Sequence, residues 1–278
     1  MSASDKPDEM IAAMLSYENG DYTETIEILR RFPGTDGSNP DVLCLMGKAL
    51  AAINDYANAA VCFHKTIVSI QHLLEVNSLS GALERLVNKG FRPASVLDIG
   101  AFDGMWTRTA MKIMPDAEFI MVEAQPDMEK LLRGVVDDFP EKASYHMALL
   151  GAAQKDGVEF QIMETGSSVY SEQTSYKRET VELPMTRLDK ILPSPKSPAM
   201  MKLDVQGSEL DIITGSGGIL EPIEVMIVEC ATLEYNKGAP LISDTISYMD
   251  KIGFRPFDII DLTRGKDGIL FHLDMIFA

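Results

Sequence analysis

Cysteine is scarce in this chain, with three in 278 residues, at positions 44, 62 and 230. They lie far apart and form no C-x-x-C pair, which supports neither a disulfide framework nor a zinc site and implies small buried thiols in a reducing compartment. A basic excess is also missing. Lys and Arg together number 25 against 42 Asp and Glu, a net charge of −17. That balance argues against broad nucleic-acid or anionic-membrane binding, because both need a basic face. No long run of one sign occurs, so the acidity reads as solvated surface. No apolar stretch approaches the roughly 18 residues of a membrane span, and the segment from Met1 to Glu9 is polar and acidic, unlike a signal peptide. These absences predict a cytoplasmic protein. The apolar fraction of 46% is ordinary, and the length fits one large or two modest domains.

One further absence is informative because of what stands in its place. The pyrophosphate-binding G-x-G-x-x-G is missing. Instead Val96-Leu97-Asp98-Ile99-Gly100-Ala101-Phe102-Asp103-Gly104 is a short apolar run ending in D-x-G-x-x-x-G, followed by a helical pattern from Trp106. This reads as a buried strand, a glycine turn and a helix N-terminus, where a nucleoside-bearing cofactor can lie against the main chain. Phe119–Val122 reads as the next strand, and Glu123 ends it, about 20 residues on, where an acid can accept hydrogen bonds from both ribose hydroxyls. Asp98 and Asp103 would repel a pyrophosphate. They suit a cofactor with an ammonium group, a sulfonium charge and no phosphate, which is S-adenosylmethionine. An NAD-linked oxidoreductase fits poorly for the same reason.

Residues 10–70 read as helical and contain a repeat. Gly20-Asp21-Tyr22 and Asn54-Asp55-Tyr56 lie 34 residues apart, each preceded by a helix (Met10–Asn19, Val42–Ile53) and followed by an apolar helical pattern. Pro33 and Pro40 punctuate the join. The period and the turn resemble the tetratricopeptide repeat, although two copies are fewer than a free-standing solenoid needs. The unit, residues 1–75, is expected to pack on the next helix, Ser78–Lys89. It reads either as a docking surface for a protein partner or acceptor, or as a helical cap that stabilises the enzyme or a homo-oligomer. From Ser95 strands and helices alternate, which predicts that residues 76–278 form an α/β domain with a mostly parallel sheet. Strands are expected at 95–100, 118–123, 143–149, 199–205, 223–230, 254–261 and 269–277, with helices at Trp106–Met114, Pro126–Phe139, Glu209–Thr214 and Leu241–Ile252. Segments 158–162 and 179–185 alternate like an exposed strand pair, with the small polar stretch Thr165–Ser171 between them. The Gly265–Gly268 turn makes the last two strands a hairpin, giving an antiparallel final strand.

The second constellation is Lys202-Leu203-Asp204-Val205-Gln206-Gly207-Ser208-Glu209. A strand ends in Asp204, Gly207 turns the chain, and a helix starts near Glu209. Asp204 is therefore expected at the carboxyl edge of the sheet, beside the strands carrying Asp98 and Glu123; the plainer alternative is a helix cap or an ion-pair partner of Lys202. Taken with Val122-Glu123-Ala124, Met147-Ala148-Leu149, Gly166-Ser167-Ser168, Thr186-Arg187-Leu188-Asp189, Ile227-Val228-Glu229 and Leu273–Phe277, these residues resemble an FkbM-type S-adenosylmethionine-dependent methyltransferase over about residues 90–278. The resemblance implies a class I methyltransferase (Rossmann-like) fold with a seven-stranded sheet, and methyl transfer, typically to a hydroxyl of a sugar, glycan or secondary metabolite. One departure is Phe102-Asp103, where such proteins often carry Asn and then a neutral residue.

On that basis Gly100, Ala101 and Gly104 are expected to line the cofactor, with Asp98 and Asp103 attracting its ammonium. Glu123 is expected on the ribose, with Ala124 beside it, and Ala148 near the adenine. Phe102 is expected to pack on the adenine or the methionine tail, or Asp103 to replace the polar contact of the asparagine that such proteins often carry at position 102. Asp204 is the foremost base candidate, then Glu229, then His146. Ser167, Ser168 and Tyr170 are expected to close over the acceptor. Asp204 and Glu229 could instead hold a Mg2+ ion, although no spacing demands it. The competing reading is a catalytically inactive scaffold whose helical repeats bind a protein partner.

Overall fold

The computed structural model describes residues 6–32, 39–76, 78–163, 166–170, 178–265 and 267–278. Pro33, Thr165, Ser171 and Lys266 lie outside the described residues. The chain divides into two compact units, Met1–Val76 and Asn77–Ala278.

Among the described residues the first unit holds four helices: α1 (Lys6–Glu18), α2 (Tyr22–Arg31), α3 (Pro40–Ala52) and α4 (Tyr56–Val76). The turns that end α1 and α3 are built alike. Gly20 (φ 85°) and Asn54 (φ 65°) both take the left-handed conformation that closes a helix. In both turns the next N–H reaches back five residues: Asp21 N donates to Ser16 O, and Asp55 N to Leu50 O, each at 2.9 Å. The second hairpin starts on Asn39, whose side chain accepts from the N–H groups of Asp41 and Val42, with Pro40 supplying a first residue that needs no partner. Ile26, Leu29, Val42, Ala49 and Leu50 fill the unit's core.

The second unit opens with α5 (Leu79–Asn88). It continues through β1 (Ser95–Ile99), α6 (Met105–Ile113), β2 (Glu118–Glu123), α7 (Glu129–Asp138), β3 (Ala143–Met147), β4 (Leu149–Leu150), β5 (Lys155–Ile162), β6 (Glu179–Thr186) and α8 (Leu188–Ile191). It then runs through β7 (Ala199–Leu203), α9 (Glu209–Thr214), β8 (Ile223–Ala231), α10 (Ile242–Lys251), β9 (Pro256–Arg264) and β10 (Leu270–Phe277). Seven strands form one sheet in the order β3-β2-β1-β7-β8-β10-β9. β10 runs antiparallel to both its neighbours, and the other pairings are parallel. The expected seven-stranded class I methyltransferase sheet with an antiparallel last strand is thus the observed one.

Two apolar layers cover the sheet. Leu97, Ile99, Met201, Leu203 and Val228 face α9 and α10. Val96, Phe119, Met121, Met200 and Ile227 face α5, α6 and α7. The central strands β1 and β7 are buried along their whole length, as expected of parallel strands covered on both faces. The expected strand 143–149 is interrupted at Ala148, whose N–H donates to Glu123 O at 2.8 Å. Beyond it β4 joins the strand pair β5–β6 in a separate three-stranded sheet. The chain runs from β1 outward to β2 and β3, then returns to β7 on the other side of β1. A crevice opens at the carboxyl ends of strands that part in this way.

Candidate active site

That crevice is a cleft whose free space, open mouth included, is about 950 Å³. One wall is the loop after β1 (Gly100, Ala101, Phe102, Asp103) with Trp106. A second is the end of β2, Glu123 to Gln125. Apolar Ala148, Leu149, Leu150 and Phe160 make a third. Lys202, Asp204, Val205, Gln206 and Ser208 close the far side, with Ser167 and Val169 from the β5–β6 connection.

The β1 loop crosses the left-handed region three times, at Gly100 (φ 76°), Phe102 (φ 47°) and Gly104 (φ 77°). A Cβ on Gly100 would stand 2.0 Å from the carbonyl oxygen of Asp204. Its glycine therefore lets the two site loops touch, besides exposing main chain to the cleft. Gly104 differs from expectation. It does not line the cleft, and a Cβ there would stand 2.6 Å from Val135 Cγ2, so it serves the packing of α7 beneath the loop. Phe102 holds a backbone conformation that is costly for a bulky residue. Its N–H donates to Glu123 Oε2 at 2.8 Å, while Glu123 Oε1 accepts from the N–H groups of Ala124 and Gln125, both at 2.8 Å. Glu123 is buried, and burial pushes its carboxyl up, although these three N–H groups and Lys202 pull the other way. A carboxylate has about four lone-pair sites. Three are taken, so Oε2 keeps room for one ribose hydroxyl rather than two.

Asp98 does not reach the cleft. It is fully buried, accepts from Thr107 Oγ1 at 2.6 Å and pairs with Lys202 Nζ at 3.3 Å. The reason is strand alternation, which places Asp98 on the face of Val96, under α6. Of the two aspartates read as ammonium partners, only Asp103 lines the cleft. Its Oδ1 caps the N–H of Met105 at 3.0 Å.

The residue that organises the site is Lys202, which the motif reading treated only as a partner for Asp204. Its ammonium is 2.9 Å from Gly100 O, 3.3 Å from Asp98 Oδ1 and 3.4 Å from Asp204 Oδ2. Burial alone would lower its pKa; the carboxylates of Asp204, Asp98 and Asp274 outweigh burial and hold it above the ordinary value. The signal was present in the sequence: a lysine inside the apolar run of a central strand has to be paired. Asp204 lies deep, yet 40% of its side-chain surface opens to the cleft. Burial pushes its carboxyl up, but Lys202 and the Gln206 amide outweigh burial and hold it below the ordinary range.

Glu229 is not in the cleft wall. It is buried behind Gln206, whose Nε2 donates to Glu229 Oε2 at 2.8 Å and to Asp204 Oδ1 at 3.3 Å, and its other oxygen meets His272 Nδ1. An amide therefore bridges the two carboxylates read as magnesium ligands. Burial, then the charges of Asp204 and Glu209, push Glu229 well above the ordinary range. His146 also leaves the candidate list. Its strand neighbours Tyr145 and Met147 pack toward α7, so His146 points to the opposite face, and it does not line the cleft. Of the three residues expected over the acceptor, only Ser167 lines it. Ser168 is buried and donates to Gln206 O at 2.7 Å. Tyr170 lies against Gly207 and donates to Asp211 Oδ2 at 3.3 Å. Among the described residues no group of three or more His, Cys, Asp or Glu side chains is arranged to hold a metal ion, and no helix is long and apolar enough to cross a membrane.

The acids behind the cleft make stability depend on pH. Burial, reinforced by the charges of Asp204 and Glu229, pushes Asp274 up to about 8. Burial pushes Glu209 up to about 7, against the N–H groups of Val205 and Gly207 that it accepts. Unfolded carboxyls titrate near ~4, so between there and about 8 the native state holds protons the unfolded chain has released, and stability falls as pH rises. Asp204, held low, works in reverse, and its contribution disappears only in acid. The melting temperature is expected to drop between about pH 5 and pH 8, and Asp274→Asn to flatten part of that drop. Thermal melts at constant ionic strength check this; a profile rising across that window would contradict the burial of these acids.

A model of the family described as the Methyltransferase FkbM domain matches residues 98–256, more than half of the chain and the whole of the cleft's strand-end residues. No curated protein sequence matches the chain. Similar solved structures include the precorrin-6y C5,15-methyltransferase of Geobacter metallireducens, at 12% identity and a TM-score of 0.41 over 72% of this chain and 86% of that one. Magnesium protoporphyrin IX methyltransferase of Synechocystis, solved with bound S-adenosylmethionine, is 9% identical with a TM-score of 0.43 over 77% of this chain and 83% of that one. The 1,6-didemethyltoxoflavin-N1-methyltransferase of Burkholderia thailandensis is 12% identical with a TM-score of 0.38 over 72% and 78%. With the family match laid on the glycine loop, Glu123 and Asp204, the chain belongs to the FkbM family of S-adenosylmethionine-dependent methyltransferases.

Proposed function

We propose that this methyltransferase acts on a hydroxyl of a sugar, glycan or secondary metabolite, with Asp204 as the proton acceptor. The observation that carries this reading is the position of Asp204. It is a carboxylate open to the cleft, at the strand end next to β1, held in place by Lys202 and the Gln206 amide. Bound S-adenosylmethionine supplies an electrophilic methyl on a sulfonium that leaves as a neutral thioether. The residues fit that donor: Glu123 Oε2 has one site for a ribose hydroxyl, Asp103 faces the cleft as a partner for the ammonium, and Ala148, Leu149, Leu150 and Phe160 offer an apolar surface to the adenine. The protein's work is then alignment, holding the acceptor oxygen within ~3–3.5 Å of the methyl, and proton removal. With S-adenosylmethionine bound, an Asp204 oxygen would take the acceptor's O–H proton, balancing the methyl that the sulfonium would give up as it leaves as a neutral thioether. Ser167, Gln206 and Ser208 give polar contacts for a hydroxylated acceptor. In the first unit, the 34-residue repeat of the turn supports a tetratricopeptide-like array that brings a partner or acceptor to the enzyme.

Transfer from methyl-labelled S-adenosylmethionine to a panel of hydroxyl, amine and carbon acceptors tests this reading. Hydroxyl compounds are expected to be labelled, and Asp204→Asn to slow transfer by about 10²–10⁴-fold, the usual worth of a positioned base. Labelling of amines alone, with the asparagine variant as fast as the wild type, would rule out the base assignment.

A further inference from the structure

The loop that carries Asp204 is held by two side chains that none of the motifs includes in a catalytic role. Gln206 has φ 55°, a left-handed conformation that is unfavourable for a non-glycine residue. A loop that only had to turn would place glycine here, as it does next door at Gly207 (φ 106°). The strained conformation persists because the Gln206 carbonyl accepts two hydrogen bonds. One comes from Ser168 Oγ at 2.7 Å, in the β5–β6 connection, and the other from Asn236 Nδ2 at 2.8 Å, in the β8–α10 connection. Both donors are almost fully buried, at 2% and 3% exposure. With its main chain pinned in this way, Gln206 sends its amide back to Asp204 Oδ1 and Glu229 Oε2. Asn236 does this at a cost, because its own Oδ1 is buried and, among the described residues, has no hydrogen-bond partner. A lone buried acceptor is destabilising, and such a cost calls for a compensating role of the residue's other end.

Resting on the functional reading above, we propose that Asn236 and Ser168 are positioning residues for Asp204, acting through the Gln206 peptide. They fix the amide that orients the carboxylate toward the reacting methyl. The two donors come from loops far apart in sequence and converge on one oxygen. They therefore also join the β5–β6 wall of the cleft to the strand-end loop that carries the base.

The test needs no acceptor. S-adenosylhomocysteine, a neutral thioether, reads the nucleoside half of the site. Sinefungin, which carries an ammonium in place of the methyl sulfonium, reads the charge and position of Asp204. By calorimetry, Ser168→Ala and Asn236→Ala are each expected to bind the thioether within about twofold of wild type. Their preference for sinefungin is expected to fall about tenfold, the value of one displaced charge-assisted contact. The double variant should lose little more than either single one, since both act on the same carbonyl, and Ser168→Thr, which keeps the hydroxyl, should restore the preference. An unchanged preference in both alanine variants, where Asp204→Asn removes it, would overturn the inference. Equal weakening of both ligands would do so too, because that is the mark of a merely structural role. A wild-type protein that binds neither ligand would overturn the functional reading first, and this inference with it.

Discussion

Replacing Glu123 with alanine is expected to weaken S-adenosylmethionine binding by at least about 100-fold, or roughly 2.7 kcal/mol. The size follows from how many partners the carboxylate serves. Its loss removes one acceptor for a ribose hydroxyl, and hydrogen bonds to a charged group are each worth about 1.5–3 kcal/mol. It also removes the carboxylate that accepts from three main-chain N–H groups, those of Phe102, Ala124 and Gln125. Phe102 has the further burden of a left-handed backbone, so the cofactor loop loses the contact that holds its strained residue. Glu123→Gln should fall between, at about tenfold, because the amide keeps the shape and one acceptor oxygen but turns a donor toward another donor. Calorimetric titration of the three proteins decides it. If Glu123→Ala bound the cofactor as tightly as wild type, the ribose would have to lie elsewhere.

The second large effect is on stability. Lys202→Met should cost about 3–5 kcal/mol, the usual result of removing one partner from a buried ion pair. Asp98 is fully buried and Lys202 is 4% exposed, so neither charge has water to fall back on. The thioether of Met fills much of the volume, which leaves lost charge compensation as the main cause. The double variant with Asp98→Asn should recover most of the loss, because the asparagine can still accept from Thr107, which gives Asp98 its 2.6 Å bond. Denaturant melts of the four proteins close the cycle. The single-variant loss should shrink in acid, where Asp98 can take a proton. A single variant as stable as wild type would mean that the Asp98–Lys202 pair does not hold the native protein together.

The elements of this fold were legible because their signals are local. The runs at 95–99 and 199–203 are mostly apolar, interrupted only by Ser95, Asp98 and Lys202, as expected of buried parallel strands. The alternation at 158–162 and 179–185 marked a half-exposed pair before any partner was known, and β5 and β6 do pair with each other. The D-x-G-x-x-x-G turn, the strand-end Glu123 and the Asp204 loop were likewise visible as short patterns, and the structure brings all three to one cleft.

What the sequence by itself determined is the list of strands and helices, their order, and which strand ends carry acids, since periodicity, apolar runs and glycine turns depend on near neighbours along the chain. Only the tertiary structure decided which acid faces the cleft. Asp98 and Asp103 stand five residues apart in one motif, yet pleat direction buries the first under α6 and leaves the second at the cleft wall. Lys202 becomes the hub, and Gln206 the link from Asp204 to Glu229, through distances between segments about a hundred and about twenty residues apart in sequence. Those encounters depend on strand register and on a single left-handed backbone angle at Gln206. Neither is a property of any window of sequence, because each is set by which other loops hold the chain in place.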